Sequence, residues 1–190
     1  RDDPDYGREV QLLREQTERC KHILSQLTLQ GGVPRGEALQ VEPVTPTLTR
    51  LVQDWQQQHP QVSLQFDLPS GPSPALCFWV PLRQALLSTL QNAADVGPAV
   101  RLQVSWDVQN LTFIIMDQGP ALEVQQITAL GQPFFSTKQE GVGLGCYLAQ
   151  TTVQQLGGQW QFLPSTGAGS TVTLSVPLAR LRPETGEHPA

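Results

Sequence analysis

Val100-Arg-Leu-Gln-Val-Ser-Trp-Asp-Val-Gln-Asn-Leu-Thr-Phe-Ile-Ile-Met-Asp117 is the stretch that decides the fold. Every second residue of its first arm, Val100, Leu102, Val104, Trp106 and Val108, falls on one side of an extended chain. A short turn at Gln109-Asn110 follows, and Leu111–Asp117 returns as a more apolar partner, so the stretch predicts a hairpin with one buried face. Before it, Pro81 opens a helix, PLRQALLSTLQNAADV, with Leu82, Leu86, Leu90 and Ala93 on one face, closed by Gly97-Pro98. Further upstream, Thr47 caps the helix LTRLVQDWQQQH, which runs until Pro60, VSLQF alternates as a strand does, and PSGPSPA is a loop. Downstream come a weakly helical ALEVQQITAL, the loop GQPFFSTKQEGVG, and a helix LGCYLAQTTVQQL stopped by Gly157-Gly158. Two strands, QWQFL and STVTLSVPL, joined by the turn PSTGAG, end the pattern, and RPETGEHPA reads as a disordered tail. Residues 47–178 thus predict an α/β fold, a two-layer sandwich with a mixed sheet covered on one face by helices, and there is no internal repeat.

A separate element precedes that domain. In Arg8–Gln30 the residues Val10, Leu13, Thr17, Cys20, Leu24 and Leu27 recur by threes and fours, a coiled-coil-like seam ending at Gly31-Gly32. Such a helix buries its stripe only against another helix, from its own chain or from a second subunit. The Gly/Pro-punctuated segment that follows reads as a linker over 33–46, between a helical element at 1–32 and the domain proper.

Composition bounds the function. The chain has 190 residues with 39% hydrophobic content, and 12 Lys+Arg against 17 Asp+Glu give a net charge of −5. Without a basic stripe interleaved with aromatics, nucleic acid is excluded as a main partner. No run of about eighteen apolar residues and no signal-like leader is present, so these residues read as soluble. Met116 is the only methionine and residue 1 is Arg, so the chain reads as a fragment excised from a longer protein. Three cysteines, Cys20, Cys77 and Cys146, form no C-x-x-C pair, which disfavours a disulfide framework or a zinc knuckle and favours a reducing, cytosolic compartment. Cys77 and Cys146 read as ordinary buried thiols, and Trp55, Trp79, Trp106 and Trp160 as core residues.

Three local features carry chemistry. Gly141-Val142-Gly143-Leu144-Gly145 stands directly before an amphipathic helix, where glycines let backbone N–H groups close on phosphate oxygens at the positive helix end. It lacks the Lys-Ser/Thr of a P-loop and the acidic residue of a Rossmann unit; taken alone, it is equally a glycine-rich bend. Asn92 lies on its helix with Ser88 four residues before and Asp95 three after, and its side-chain carbonyl suits a Mg²⁺ shared with phosphate oxygens and water; a surface Asn is the plainer alternative. Asp117 ends the apolar strand before Gln118-Gly119-Pro120. A carboxylate there can accept an exocyclic amine, with Gly119 admitting a ring to the backbone; a turn-forming Asp is the plainer alternative.

The order of these features is more specific than any one of them. A helix bearing Asn92-Ala93, a strand ending in Asp117-Gln118-Gly119-Pro120, a loop with Phe134, Phe135 and Lys138, and Gly141 to Gly145 opening a helix resemble the ATP-binding domain of sensor histidine kinases in the GHKL (Bergerat-fold) superfamily. In that family's terms Asn92 matches the N box, Asp117 and Gly119 the first glycine box, Phe134 and Phe135 the F box, and Gly141, Gly143, Leu144 and Gly145 the second glycine box. The resemblance implies an ATP site with Mg²⁺ held at Asn92, adenine selected by Asp117, phosphates cradled by the glycines, and a lid over about 120–140 from which Lys138 reaches the γ-phosphate. Three positions depart from the pattern. Ser88 replaces the polar residue, often Asn, one turn before Asn92 and is no strong base; Asp95 replaces a Lys; Ala121 replaces a glycine.

The N-terminal helix, with NAADVGP, PFFSTK and GVGLG, looks like the second helix of the dimerisation hairpin in RegB/PrrB-type redox-responsive kinases. The phosphoacceptor His of those proteins stands in the preceding helix, and none of His22, His59 or His188 has its setting. By this resemblance the chain binds ATP as part of a two-component histidine kinase, homodimerises through its N-terminal helix, serves a response regulator, and is the cytoplasmic domain of an inner-membrane protein. Cys20 is either a redox thiol, as the family carries in a matching helix, or a small core residue. Two rival readings are a GHKL ATPase or serine kinase, and a non-catalytic ATP-binding or redox-dimer module.

Overall fold

A computed structural model of the protein describes residues 41–77, 79–136, 143–164 and 168–182. The helix at Arg8–Gln30 with Cys20, most of the linker, Lys138, Gly141 and the tail after 182 lie outside the described residues. In chain order the elements are β1 (Glu42–Pro43), α1 (Val44–Gln58), β2 (Ser63–Asp67), β3 (Ala75–Leu76), α2 (Trp79–Val96), β4 (Ala99–Trp106) and β5 (Asn110–Asp117). They continue with α3 (Val124–Ala129), α4 (Gly145–Gln155), β6 (Gln159–Pro164), β7 (Ser170–Pro177) and α5 (Leu178–Leu181).

The central hairpin organises the sheet. β4 and β5 pair antiparallel, and β7 and β6 extend the sheet antiparallel beyond β5. On the other side β2 lies parallel to β4, giving the strand order β2-β4-β5-β7-β6. The parallel pair requires a crossover, supplied by α2 between β2 and β4. Register puts Val104, Phe113, Leu174 and Trp160 in one row across four strands, with Phe113 and Leu174 fully buried. The alternate residues Arg101 and Ser105 are exposed, so the sheet has one buried and one wetted face, as expected. Helix α2 lies over β4 and β5 and α4 over β6 and β7, and the two helices pack on each other. The face predicted for α2 is the buried one: Leu82, Leu86 and Leu90 are fully enclosed and Ala93 nearly so.

Four expectations are corrected. Val108 is 89% exposed, because β4 stops at Trp106 and the turn comprises Asp107–Gln109, with Asn110 already in β5. Asp107 Oδ1 accepts the N–H groups of Gln109 and Asn110, each at 2.7 Å. The helix read from Thr47 begins at Val44 after the N-cap Pro43, with Thr47 buried and donating to Glu42 Oε2 at 3.1 Å. The second helix starts at Trp79, so Pro81 sits inside its first turn, where it costs no helical hydrogen bond. At the far end α5 carries the chain past the expected boundary at residue 178, with Leu181 fully buried. β1, β3 and α5 are too short to show a period in the sequence.

The stop at Gly157-Gly158 is as read. Gly157, at φ +73°, donates to Gln154 O (2.9 Å) and Gly158 to Val153 O (2.8 Å), the paired bonds of a Schellman closure. At the end of α1, His59 stacks on Trp55 with ring centroids 4.3 Å apart. Its Nδ1 meets Trp55 O at 2.8 Å and its Nε2 meets Gln91 Oε1 at 2.7 Å, tying α1 to α2. Among the described residues no helix is long and apolar enough to cross a membrane.

Phe113→Ala should lower the unfolding free energy in urea by about 3–5 kcal/mol, whereas Val108→Ala should stay within about 0.5 kcal/mol of the native protein. The Asp107 carboxyl is held below its ordinary value of 3.8 by the N–H of Asn110 first and of Gln109 second. Its deprotonated form therefore stabilises the turn above that value and ceases to as pH falls through the lowered one. The gap in urea midpoint between native protein and Asp107→Ala should be present near neutral pH and close in acid.

Candidate functional site

Helix α2 presents a second face, distinct from its buried one, to the start of α4. Ser88 and Asn92, one turn apart, are both half-buried there. Ser88 Oγ donates to Gly145 O at 3.1 Å, and Asn92 Nδ2 donates to Cys146 Sγ at 3.3 Å. Gly145 is what permits this approach: a Cβ on it would stand 3.0 Å from Asn92 Nδ2 and 3.1 Å from Ser88 Oγ. Cys146, read as an ordinary buried thiol, is half-buried and engaged with the candidate metal-holding amide. Leu144, 7% exposed, is the N-cap of α4 and offers no side-chain cap, and the first turn of α4 contains no acidic residue. The N-cap thus supplies no side-chain acceptor to the leading N–H groups at the helix's positive end.

One helical turn past Asn92, Val96 touches the end of β5. A Cβ on Gly119 would lie 2.7 Å from Val96 Cγ2 and 3.1 Å from Asp117 Oδ1, so glycine is required by space and not by conformation. Asp117 Oδ1 accepts from Gly119 N at 2.8 Å and Ser170 N at 3.2 Å, while the Ser170 hydroxyl donates to Oδ2. Gly169, at φ +93°, donates to Gly119 O at 2.6 Å and lies against the Asp117 carbonyl. Gly169 and Ser170 were missed in the sequence; the only available signal was that STGAGS precedes a strand whose register falls opposite Asp117's neighbours.

Phe134 and Phe135 sit beside Gly143. Phe134 has φ +67°, uncommon for a bulky residue, is 52% exposed, and its N–H donates to Gly143 O at 3.1 Å. Gly143, at φ +71°, passes so near that a Cβ would lie 2.5 Å from the Phe134 carbonyl carbon and Phe135 O. Phe135 is half-buried, with its N–H directed to Gln132 O at 3.4 Å.

Asn92, Asp117, Gly119, Phe134, Phe135, Gly143, Leu144 and Gly145 are therefore placed around α2, the end of β5 and the start of α4. Lys138 and Gly141 lie outside the described residues. Asn92 Oδ1 and the leading N–H groups of α4 are groups of the kind that suit a hydrated cation and phosphate oxygens, and among the described residues no group of three or more His, Cys, Asp or Glu is arranged for a metal.

A profile of the family described as histidine kinase-, DNA gyrase B-, and HSP90-like ATPase matches residues 79–180, more than half of the chain. The chain belongs to this family. Among curated relatives it is similar to the sensor protein TdiS of Thauera aromatica, 25% identical over 146 residues, covering 72% of this chain and 26% of that protein. It is also similar to the sensor histidine kinase ZraS of Escherichia coli K12, 33% identical over 100 residues, covering 51% and 22%. The chain thus spans about a quarter of the length of the curated relatives it matches. The mycobacterial sensor histidine kinase MprB shares the fold with a TM-score of 0.62 at 19% identity, over 74% of this chain and 97% of that one.

Gly119→Ala should force β5 and α2 apart and cost about 1–3 kcal/mol of stability, read from urea unfolding. A cost no larger than that of an exposed alanine substitution would mean that Val96 moves aside freely.

Proposed function

We propose that the chain is the ATP-binding catalytic part of a two-component sensor histidine kinase, passing the γ-phosphoryl of ATP to a histidine outside these residues for onward transfer to a response regulator. The observation that carries this reading is that a carboxylate at a strand end, a metal-suited amide and a helix N-terminus whose N-cap offers no side-chain acceptor converge on one helix, α2. Asp117 keeps its carboxylate in place through Gly119 and Ser170 and offers it to the adenine amine. Gly119 and Val96 bound the purine end. The first N–H groups of α4, with Gly143 and Gly145, receive the phosphates, and Lys138 neutralises the terminal one. Asn92 Oδ1 would hold a Mg²⁺, which would neutralise phosphate charge.

The ATPase alternative is disfavoured because Ser88, the position where a general base is needed, is a hydroxyl committed to Gly145 O. Asp95, which replaces a cation, accepts a bond from Gln91 Nε2 at 2.6 Å, so part of its charge is directed along α2. His59 has both ring nitrogens engaged with Trp55 and Gln91, in keeping with a phosphoacceptor elsewhere. The finer assignment, a RegB/PrrB-type kinase that dimerises through Arg8–Gln30, responds to redox through Cys20 and is anchored in the inner membrane, rests on the sequence resemblance.

Calorimetry with ATP tests the reading. Asp117→Asn should weaken ATP at least tenfold, as loss of a charge-assisted bond requires. Asn92→Asp should act chiefly on the Mg²⁺-dependent part of affinity. Labelled ATP with a separately made phosphoacceptor hairpin should yield phosphohistidine. Tight ATP binding without transfer would favour the non-catalytic module instead.

A further inference from the structure

We infer that the meeting of His59 with Gln91 is a proton-dependent clasp between α1 and α2, closed when the His59 ring carries a proton on both nitrogens and loosened when it loses one. The clasp stands apart from the nucleotide reading above. A neutral imidazole donates from one ring nitrogen and accepts at the other, whereas the imidazolium donates from both. Here both nitrogens meet acceptors. Nδ1 faces the backbone oxygen of Trp55 at 2.8 Å, a group that can only accept. Nε2 faces Gln91 Oε1 at 2.7 Å. An amide can be turned about, but the other end of this one donates from Nε2 to Asp95 Oδ1 at 2.6 Å, and an ionised carboxylate only accepts. Turning the Gln91 amide would set oxygen against oxygen at Asp95, so its carbonyl stays toward the ring.

Either neutral tautomer therefore leaves a nitrogen lone pair against an oxygen, at 2.7 or 2.8 Å. The imidazolium satisfies both, at lengths usual for charge-assisted N–H···O bonds, about 2.7–2.9 Å. The ring also lies flat on Trp55, with centroids 4.3 Å apart and planes 15° from parallel, so the cation rests on a buried indole face. The charged residues of α1 are Arg50 and Asp54, and those of α2 are Arg83 and Asp95. All four are exposed, and among the described residues Asp95 is the one joined to the ring, through Gln91. Gln91 immediately precedes Asn92, so the clasp acts on the turn of α2 that faces α4.

The test is a double-mutant cycle read by urea unfolding of the 190-residue chain. It pairs His59→Phe, which keeps a ring to stack on Trp55, with Gln91→Met, which keeps the length of the side chain. Measurements at about pH 6 and about pH 8 lie on either side of the ordinary histidine value of about 6.5. The coupling between the two positions should be worth about three- to tenfold in the unfolding constant at the lower pH and vanish at the higher one. A coupling equal at both pH values overturns the clasp. In an Asp95→Asn background the coupling should persist at both, because an asparagine can donate to Gln91 Oε1 and let the amide turn its N–H groups to a neutral ring. A coupling that still vanishes there at the higher pH overturns the relay. Should a variant not fold, the native protein decides. At about pH 6 both ring N–H protons of His59, told from those of His22 and His188 by their contacts with Trp55, should exchange slowly in nitrogen-edited NMR spectra. Ring protons that exchange as fast as those of free imidazolium overturn the inference.

Discussion

The packing of α2 constrains everything else in this domain. Its leucines at 82, 86 and 90 are fully enclosed against the sheet, and that burial fixes the rotation of the helix about its axis. Once the rotation is set, the direction of every other α2 residue follows from the helical period. Ser88 and Asn92 face the start of α4, and Val96 meets the end of β5. A change of the apolar stripe by a single position would turn the amide away from α4 and the valine away from Gly119. The hydrophobic core and the candidate site are therefore a single geometric problem, solved by one helix with two working faces.

The glycines around this site are needed for different physical reasons. Gly119 has no positive φ, and its role is to leave the space that Val96 occupies. Gly143 combines φ +71° with backbone contact to the F-box pair, so both conformation and space require it. Asp117 is anchored by donors from both sides of the strand end, Gly119 and Ser170, so its carboxylate is organised before any ligand arrives. Such preorganisation moves part of the ordering cost of binding into folding.

Much of this was legible in the sequence, because the long elements are strongly periodic. The hairpin, the buried face of α2 and the glycine stop of α4 needed only alternation, the 3.6-residue period and Gly157-Gly158. Asn92, Asp117 and the glycine boxes emerged from order along the chain. What escaped was short or tertiary. Two-residue strands and a one-turn helix have no period to detect, and Val108 was misassigned because the turn begins two residues sooner than alternation indicates. Ser170 and Cys146 became visible only when residues 53 and 54 positions apart, Asp117 with Ser170 and Asn92 with Cys146, were brought into contact.

Charge provides the last step. The chain carries a net charge of −5, so its mean field repels a polyphosphate, and affinity must come from local sources. The α4 N-terminus supplies partial positive charge on backbone N–H groups, but α2 brings only neutral Ser88 and Asn92 to that turn, and Asp95 stands where a cation is usual. A neutral amide contributes little until a divalent ion sits against it. The two ends of the proposed site thus differ: the Asp117 carboxylate is held by Gly119 and Ser170, whereas the turn before α4 meets only neutral side chains from α2.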